Sequence, residues 1–356
     1  MRYEYLDFMC CPSCKGELRI NASKERNGKI ESGSIACVNS SCGKIYPIRN
    51  FVPRFVEDGV YAQSFGEQWK TFARTQLDNT TCQESEKRWN SEIGWGEEDI
   101  AGMSLIEFGS GAGRFVDIVS KKGAKLIVGV DITDAVDAAQ DNLGERNNIF
   151  FVQADFFNPP FIQGFFDRGY SIGVLHHTPA PEIAFSNLIE LINKNAKVGI
   201  SLYEISLYTR PNKNSFKVST MELLWALNLW RVEMFRIVTT RVPNSWMLTY
   251  CKSFVPLLHH INKVPVIRYI RYFFPSTCYR NLPVEWSMLD TNDTYATKIV
   301  HQYRHKDIFQ WFMKILGVKK DRKIRSFVTI WRSRWVPYHP TPRCLDWRLN
   351  PCAGHR

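Results

Sequence analysis

Between residues 102 and 204 short apolar runs alternate with amphipathic stretches, and their spacing predicts strands at Ser104–Phe108, Leu126–Val130, Ile149–Gln153, Arg168–Gly173 and Val198–Tyr203. The intervening segments, among them Arg114–Lys122 and Ala135–Asn142, carry apolar positions at helical period. Strand followed by helix at this spacing predicts an α/β fold with a doubly wound, mostly parallel sheet. Upstream the pattern differs. Residues 1–56 are turn-rich and cysteine-bearing, and residues 57–101 read as a helical connector with Trp69, Phe72 and Trp89. From about 205 to 335 long amphipathic stretches rich in Trp, Phe, Arg and Lys are punctuated by Pro243, Pro256, Pro265, Pro275 and Pro283, which predicts a mostly helical cap. Within it Asp307–Leu316 reads as a helix and Ser326–Trp331 as a strand able to rejoin the sheet; Pro337, Pro340, Pro342 and Pro351 predict an irregular tail over 336–356.

Composition sharpens this division. An apolar content of 44% in 356 residues excludes a mainly disordered chain. The formal charge of +11 is uneven: residues 201–356 hold 25 Lys/Arg against 9 Asp/Glu, whereas residues 1–200 hold 21 against 26. The basic, aromatic second half admits an anionic substrate, nucleic acid or peripheral contact with an anionic membrane, and equally a plain solvated face. The opening Met1-Arg-Tyr-Glu-Tyr-Leu-Asp7 lacks the apolar run of a secretory leader, and Asn244–Ile261 is broken by Lys252, Pro256 and two histidines, short of the roughly 20 apolar residues of a span. A cytoplasmic location is expected, with membrane-peripheral attachment admitted by the basic half.

Ile106-Glu-Phe-Gly-Ser-Gly-Ala-Gly-Arg-Phe115 places glycines at 109, 111 and 113 between a strand and a helix. Such a turn can offer backbone N–H groups and a helix N-terminus to an anionic group. Its G-x-G-x-G spacing is neither the G-x-G-x-x-G of dinucleotide sites nor a phosphate loop, which needs Gly-Lys-Ser/Thr. Glu107 precedes the turn, and an acid there suits a ligand carrying an ammonium and a sulfonium. Asp131 ends the second strand, where a carboxylate can accept from both ribose hydroxyls, and Asp155 follows the third, where it can accept from the exocyclic amine of adenine. Acids at three successive strand ends point to S-adenosylmethionine.

Leu105-Ile-Glu-Phe-Gly-Ser-Gly-Ala-Gly-Arg114, then Val128-Gly-Val-Asp131, Asp155 and Phe166-Asp-Arg-Gly-Tyr-Ser-Ile-Gly-Val-Leu-His-His177 together resemble the class I S-adenosylmethionine-dependent methyltransferases of the type 11-like group, in the correct order over roughly residues 100–204. The resemblance implies a Rossmann-like fold and a cofactor-binding set of Glu107, Gly109, Ser110, Gly111, Gly113, Asp131, Ile132, Asp155, Phe156 and Ser171. The chain departs from the pattern at Ser110, where the family commonly has Cys, and at Asn195-Ala-Lys197, where it has a Gly-Gly pair. His176 and His177 follow the fourth strand at the carboxyl edge of the sheet, so either could serve as the base for an acceptor O–H or N–H, His177 in preference. Each could equally brace a loop, and Tyr203 could shape the same pocket.

Cys11-Pro-Ser-Cys14 and Cys37-Val-Asn-Ser-Ser-Cys42 make two knuckles separated by a hairpin-like stretch with Asn27-Gly28. Two thiolate pairs on tight turns suit a closed tetrahedral zinc site, with iron–sulfur ligation and free thiols as other readings. So small a module also needs a staple to fold. The run from Cys11 through Cys42-Gly43 and Tyr46-Pro-Ile48 to Val52-Pro-Arg-Phe55 resembles the zinc-ribbon activator subunit of tRNA and translation-factor methyltransferases, which implies a structural metal. The enzyme expected is a methyltransferase acting on a small-molecule or lipid- or glycan-linked acceptor. An RNA methyltransferase gripping rRNA or tRNA through the ribbon and basic half is the second reading, and a non-catalytic S-adenosylmethionine-binding adaptor the third.

Overall fold

The computed structural model describes residues 1–56, 63–203 and 220–315, with the backbone of 327–331. The expected tail, 336–356, lies outside the described residues, as does the start of the cap.

Residues 1–56 form a four-stranded antiparallel sheet in sequence order: β1 (Leu18–Arg26), β2 (Lys29–Cys37), β3 (Ile45–Arg49) and β4 (Val52–Pro53). Asn27 and Gly28 take φ of 52° and 69°, the left-handed pair that lets a two-residue hairpin match strand twist. Three helices follow, α1 (Gln63–Thr71), α2 (Glu84–Glu92) and α3 (Glu97–Ile100). The alternating core then runs β5 (Ser104–Phe108), α4 (Arg114–Lys121), β6 (Leu126–Asp131), α5 (Ala135–Leu143), β7 (Ile149–Gln153), β8 (Phe166–Ile172), α6 (Pro181–Leu191) and β9 (Ile192–Tyr203). The cap comprises α7 (Thr220–Thr239), α8 (Asn244–Ser253), α9 (Val255–Lys263), a 3-10 segment at Ile267–Phe273 and α10 (Val284–Ala296); α11 (His305–Ile315) and β10 (Phe327–Trp331) return to the core.

The second sheet has the order β10-β9-β8-β5-β6-β7, with every pair parallel. Strands β5, β6 and β7 are buried on both faces, as near-continuous apolar runs such as Ile149-Phe-Phe-Val152 require. The order reverses between β5 and β8, so the crevice at the carboxyl end of β5 is where a doubly wound sheet receives a ligand. β9 starts six residues before the expected Val198. Phe166 pairs with Ile192 and Arg168 with Lys197, and the surplus residues are absorbed in an irregularity where Asn193 donates to Asp167.

The small sheet and the large one share a core. Tyr5 and Phe8 pack on Phe150, Phe161 and Phe165, with Phe8 stacked on Phe165 at 4.6 Å. Backbone bridges join Met9 to Phe161 and Arg54 to Gln153, which covers the outer edge of β7. Arg54 also donates to the Gln153 amide and pairs with Asp137 of α5. The cap has its own small core around Val232, Met247, Cys251 and Tyr295, and is pinned to α1 where Phe72 meets Leu248 and Leu289. It rejoins the sheet as His301 N–H donates to His176 O and Tyr303 N–H to Tyr203 O. No helix among the described residues is long and apolar enough to cross a membrane.

Candidate active site

One cavity lies over the carboxyl ends of β5, β6 and β8 and under α10. On the sheet side its wall includes Gly109, Ser110, Gly111, Asp131, Ile132 and Phe156. His177 and Tyr203 line it farther along, and Asp290, Asp293 and Thr294 close it from the cap.

The three glycines of the turn have different tasks. Gly109 has φ +85° and any Cβ there would stand 2.3 Å from Val174. Gly111, at φ +51°, lies against the indole of Trp69, 3.1 Å from where its Cβ would be. Gly113 is outside the cavity; a Cβ there would meet Leu143 of α5 at 2.7 Å, so its role is close packing of loop on helix. The N–H groups of Gly109 and Ser110 both donate to Val130 O, and that of Gly111 donates to Asp131 Oδ2 at 2.9 Å. Those donors face the second strand. The turn therefore meets a ligand with small residues only, Gly109, Ser110, Gly111 and Ala112, while the N–H groups of the first three are turned to Val130 and Asp131.

Asp131 is buried; its Oδ1 accepts from the Thr133 N–H and hydroxyl at 2.9 and 2.7 Å. Burial pushes its pKa up, against the pull of those hydrogen bonds. Glu107 sits behind the turn, fully enclosed, accepting from the Tyr170 hydroxyl at 3.2 Å. Burial raises its pKa well above the carboxylate range, with the Asp131 charge adding to the effect. It braces the turn from behind and is not part of the cavity wall, although position alone suggests a charge-facing role. Ser171 is likewise internal, donating to Phe108 O at 2.8 Å. Asp155 is outside the wall beside Phe156, its Oδ1 accepting from Phe157 N–H at 3.0 Å.

The two histidines separate. His176 is fully buried, both ring nitrogens are without hydrogen-bond partners, and its ring packs 3.9 Å from that of Tyr203. Burial holds it neutral, its pKa well below the usual value. His177 lines the cavity, its Nδ1 2.8 Å from Ile299 O. A carbonyl partner requires Nδ1 to carry the proton, which leaves the Nε2 lone pair as the accepting side. Burial lowers its pKa to about 4.

Residues that the sequence reading did not single out complete the wall. Phe65 and Trp69, a helical turn apart on α1, lie on one side, with Arg88 and Arg114. Arg114 donates to Ser85 and Gln76 and lies over the Trp286 ring at 5.3 Å. Asp290 and Asp293 face in from α10, and the Tyr279 hydroxyl donates to Asp290. Two of only nine acids in residues 201–356 standing three apart on one helix was a readable signal. Burial, then the neighbouring Asp290, raises the pKa of Asp293 to about 7.

Residues 106–199 match the family model described as a methyltransferase domain, and residues 2–50 match that of Trm112p-like proteins. The chain carries a class I methyltransferase domain behind a Trm112p-like domain. Among curated proteins none matches the sequence. Similar solved structures include an S-adenosylmethionine-dependent methyltransferase from Mesorhizobium loti, at 19% identity and TM-score 0.30 over 35% of this chain and 56% of that one. The complex of the Haloferax volcanii Trm112 methyltransferase activator with its partner is similar at 16% identity and TM-score 0.33, over 41% and 64%. Haemonchus contortus phosphoethanolamine N-methyltransferase 1 is similar at 14% identity and TM-score 0.33, over 44% and 35%.

In the Trm112p-like domain the Sγ atoms of Cys11, Cys14, Cys37 and Cys42 all lie within 4.8 Å of one another. Cys11 and Cys42 are 3.8 Å apart and Cys14 and Cys37 3.4 Å. Sulfurs placed tetrahedrally at about 2.3 Å from zinc stand roughly 3.8 Å apart, whereas a disulfide holds them at about 2.05 Å. The set fits structural zinc with no open position. Cys10 is not in it; its N–H donates across the interface to Pro160 O.

Because Cys11 belongs to the core shared with Phe150 and Phe161, metal loss acts on the whole molecule. Chelation, or Cys42→Ser, is expected to lower the melting temperature by several degrees in one transition, read by differential scanning calorimetry with zinc content in parallel. A separate early transition, with the methyltransferase domain unmoved, would contradict a shared core.

Proposed function

We propose that this chain transfers the methyl group of S-adenosylmethionine to a small-molecule or lipid- or glycan-linked acceptor held beneath the cap. The observation that carries the reading is a cavity lined from Gly109, Gly111 and Asp131 to His177, Tyr203 and Asp293, which offers donor and acceptor a common space. Bound there, S-adenosylmethionine supplies an electrophilic methyl on a sulfonium. Asp131, with lone-pair capacity left on Oδ2, would accept from the ribose, and Ile132 and Phe156 in the same wall would flank the adenine; Asp155, outside the wall, would have to turn inward to accept from its amine. The bare turn lets the methionyl chain approach. Trp69, Phe65 and the cap exclude water, so that the residues position the two partners in line.

The acceptor end offers two proton acceptors of different strength. His177 stays neutral above about pH 4, and Asp293 carries its proton up to about pH 7. Asp293 is the stronger base once ionised, and a group poised near 7 suits removal of an O–H or N–H proton during transfer.

Binding titrations with S-adenosylmethionine are expected to show affinity that falls at least tenfold in Asp131→Ala, about 1.4 kcal/mol; undiminished affinity overturns the cofactor assignment. With methyl-tritiated cofactor and separate metabolite, lipid and RNA extracts, label is expected in the first or second, and label confined to RNA overturns the acceptor class. With the labelled acceptor as substrate, the rate should rise with pH through an ionisation near 7, since Asp293 must lose its proton to act. Asp293→Asn should remove that limb, while His177→Ala lowers the rate and leaves the limb in place.

A further inference from the structure

The cap presents apolar and basic groups where a cap serving only the cavity would be polar. From Met234 to Val284 there are 51 residues without one Asp or Glu, holding seven Lys or Arg. Within that run Val264, Val266, Ile267, Tyr269, Ile270 and Phe273 are all exposed, Val266 at 85% and Phe273 at 77%, and the 3-10 segment Ile267–Phe273 buries none of its side chains. Arg268 and Arg271 alternate with these, each guanidinium lying over the neighbouring tyrosine ring, at 4.8 Å from Tyr269 and 4.4 Å from Tyr272.

The ridge continues onto α7. Arg231 donates to Tyr272 O and Phe274 O, which ties the 3-10 segment to the middle of that helix. Beside Arg231, the exposed Leu227, Trp230, Met234, Ile237 and Val238 fall in an arc of roughly 100° at 3.6 residues per turn. On the far side of the arc a shallow open hollow is lined by Glu233, Arg236, Ile237, Thr240, Arg241 and Lys298. The exposed stripe is thus bordered by Arg231 on one flank and on the other by three cations, one of which, Arg236, pairs with Glu233. Aromatic and branched apolar groups standing out among basic ones match an interface of acyl chains and anionic headgroups. Large apolar side chains exposed side by side, rimmed by polar ones, mark a contact surface.

We infer that the ridge formed by Val264–Phe273 and the outer stripe of α7 docks this protein on an anionic lipid bilayer. The inference deepens the proposed function and rests on it in one respect, that a lipid-linked acceptor would then be met where the cap touches the membrane. The docking itself is tested without an acceptor.

The full chain is mixed with phosphatidylcholine vesicles, or with vesicles holding 30% phosphatidylglycerol, and floated on a density gradient, with S-adenosylmethionine affinity measured on every variant. The expected result is flotation with the anionic vesicles, at least tenfold weaker on neutral ones and weakened by salt. Val266→Glu with Phe273→Glu should abolish it, and Arg268→Ala with Arg271→Ala should lower it severalfold, with cofactor affinity unchanged in both. Absent flotation, equal binding to both vesicle types, or binding indifferent to Val266→Glu with Phe273→Glu overturns the inference while leaving the methyltransferase reading intact. Self-association through the ridge, dispersed by the same glutamates in sedimentation without lipid, overturns it in favour of a second copy. Tighter retention on an RNA oligonucleotide than on vesicles overturns it in favour of nucleic acid. Lost cofactor affinity in the unmodified chain counts against the proposed function and not against the docking.

Discussion

The hydrogen bond from Gly111 N–H to the buried Asp131 carboxylate joins the two halves of the site. It is charge-assisted and shielded from water, and it fixes the turn after β5 against the end of β6. With Gly109 and Ser110 donating to Val130 O, the turn has no freedom to present its N–H groups elsewhere. Glycine is required here because positive φ and near-contact with Val174 and Trp69 leave no room for Cβ. The same bond fixes Asp131 in the cavity wall, so the loop shape and the placing of that acid are one feature.

A parallel sheet buried on both faces needs its edges covered, and the Trm112p-like domain does this for β7. The arrangement is reciprocal. A sheet of 56 residues has too little interior of its own, and it completes one by setting Tyr5 and Phe8 among Phe150, Phe161 and Phe165. The thiolate cluster holds the knuckles in the shape this contact requires. The metal therefore acts on the methyltransferase domain through packing, far from the cavity.

The cap divides its surfaces between two environments. Its inner face brings Asp290 and Asp293 to the cavity, where burial raises the pKa of Asp293 to about 7. Its outer face carries no carboxylate from Met234 to Val284 and leaves branched and aromatic side chains in solvent. A helical layer that turns acids to a cavity and apolar groups to solvent departs from an ordinary surface helix, whose apolar stripe faces the core.

Period and composition determined the parallel α/β core, the strand limits at Ser104–Phe108 and Ile149–Gln153, the glycine turn, Asp131 and the four-cysteine set, because each is a local signal: alternation of apolar runs, positive-φ residues, or ligand spacing. The irregular start of β9 was not legible, since Ile192 is recruited by pairing with Phe166 and not by its own neighbours. Only tertiary structure decided which acids line the cavity. Glu107 and Asp131 have equal standing in the sequence, but the first is sealed beneath the turn against Tyr170 and the second opens on the cavity. Only tertiary structure separated His176 from His177, one walled in by Tyr203 and the other held by Ile299, 122 residues away. Only it brought Asp293 to the cavity wall, because burial and long-range packing set both the position and the proton affinity of a side chain, and neither is written in its neighbours along the chain.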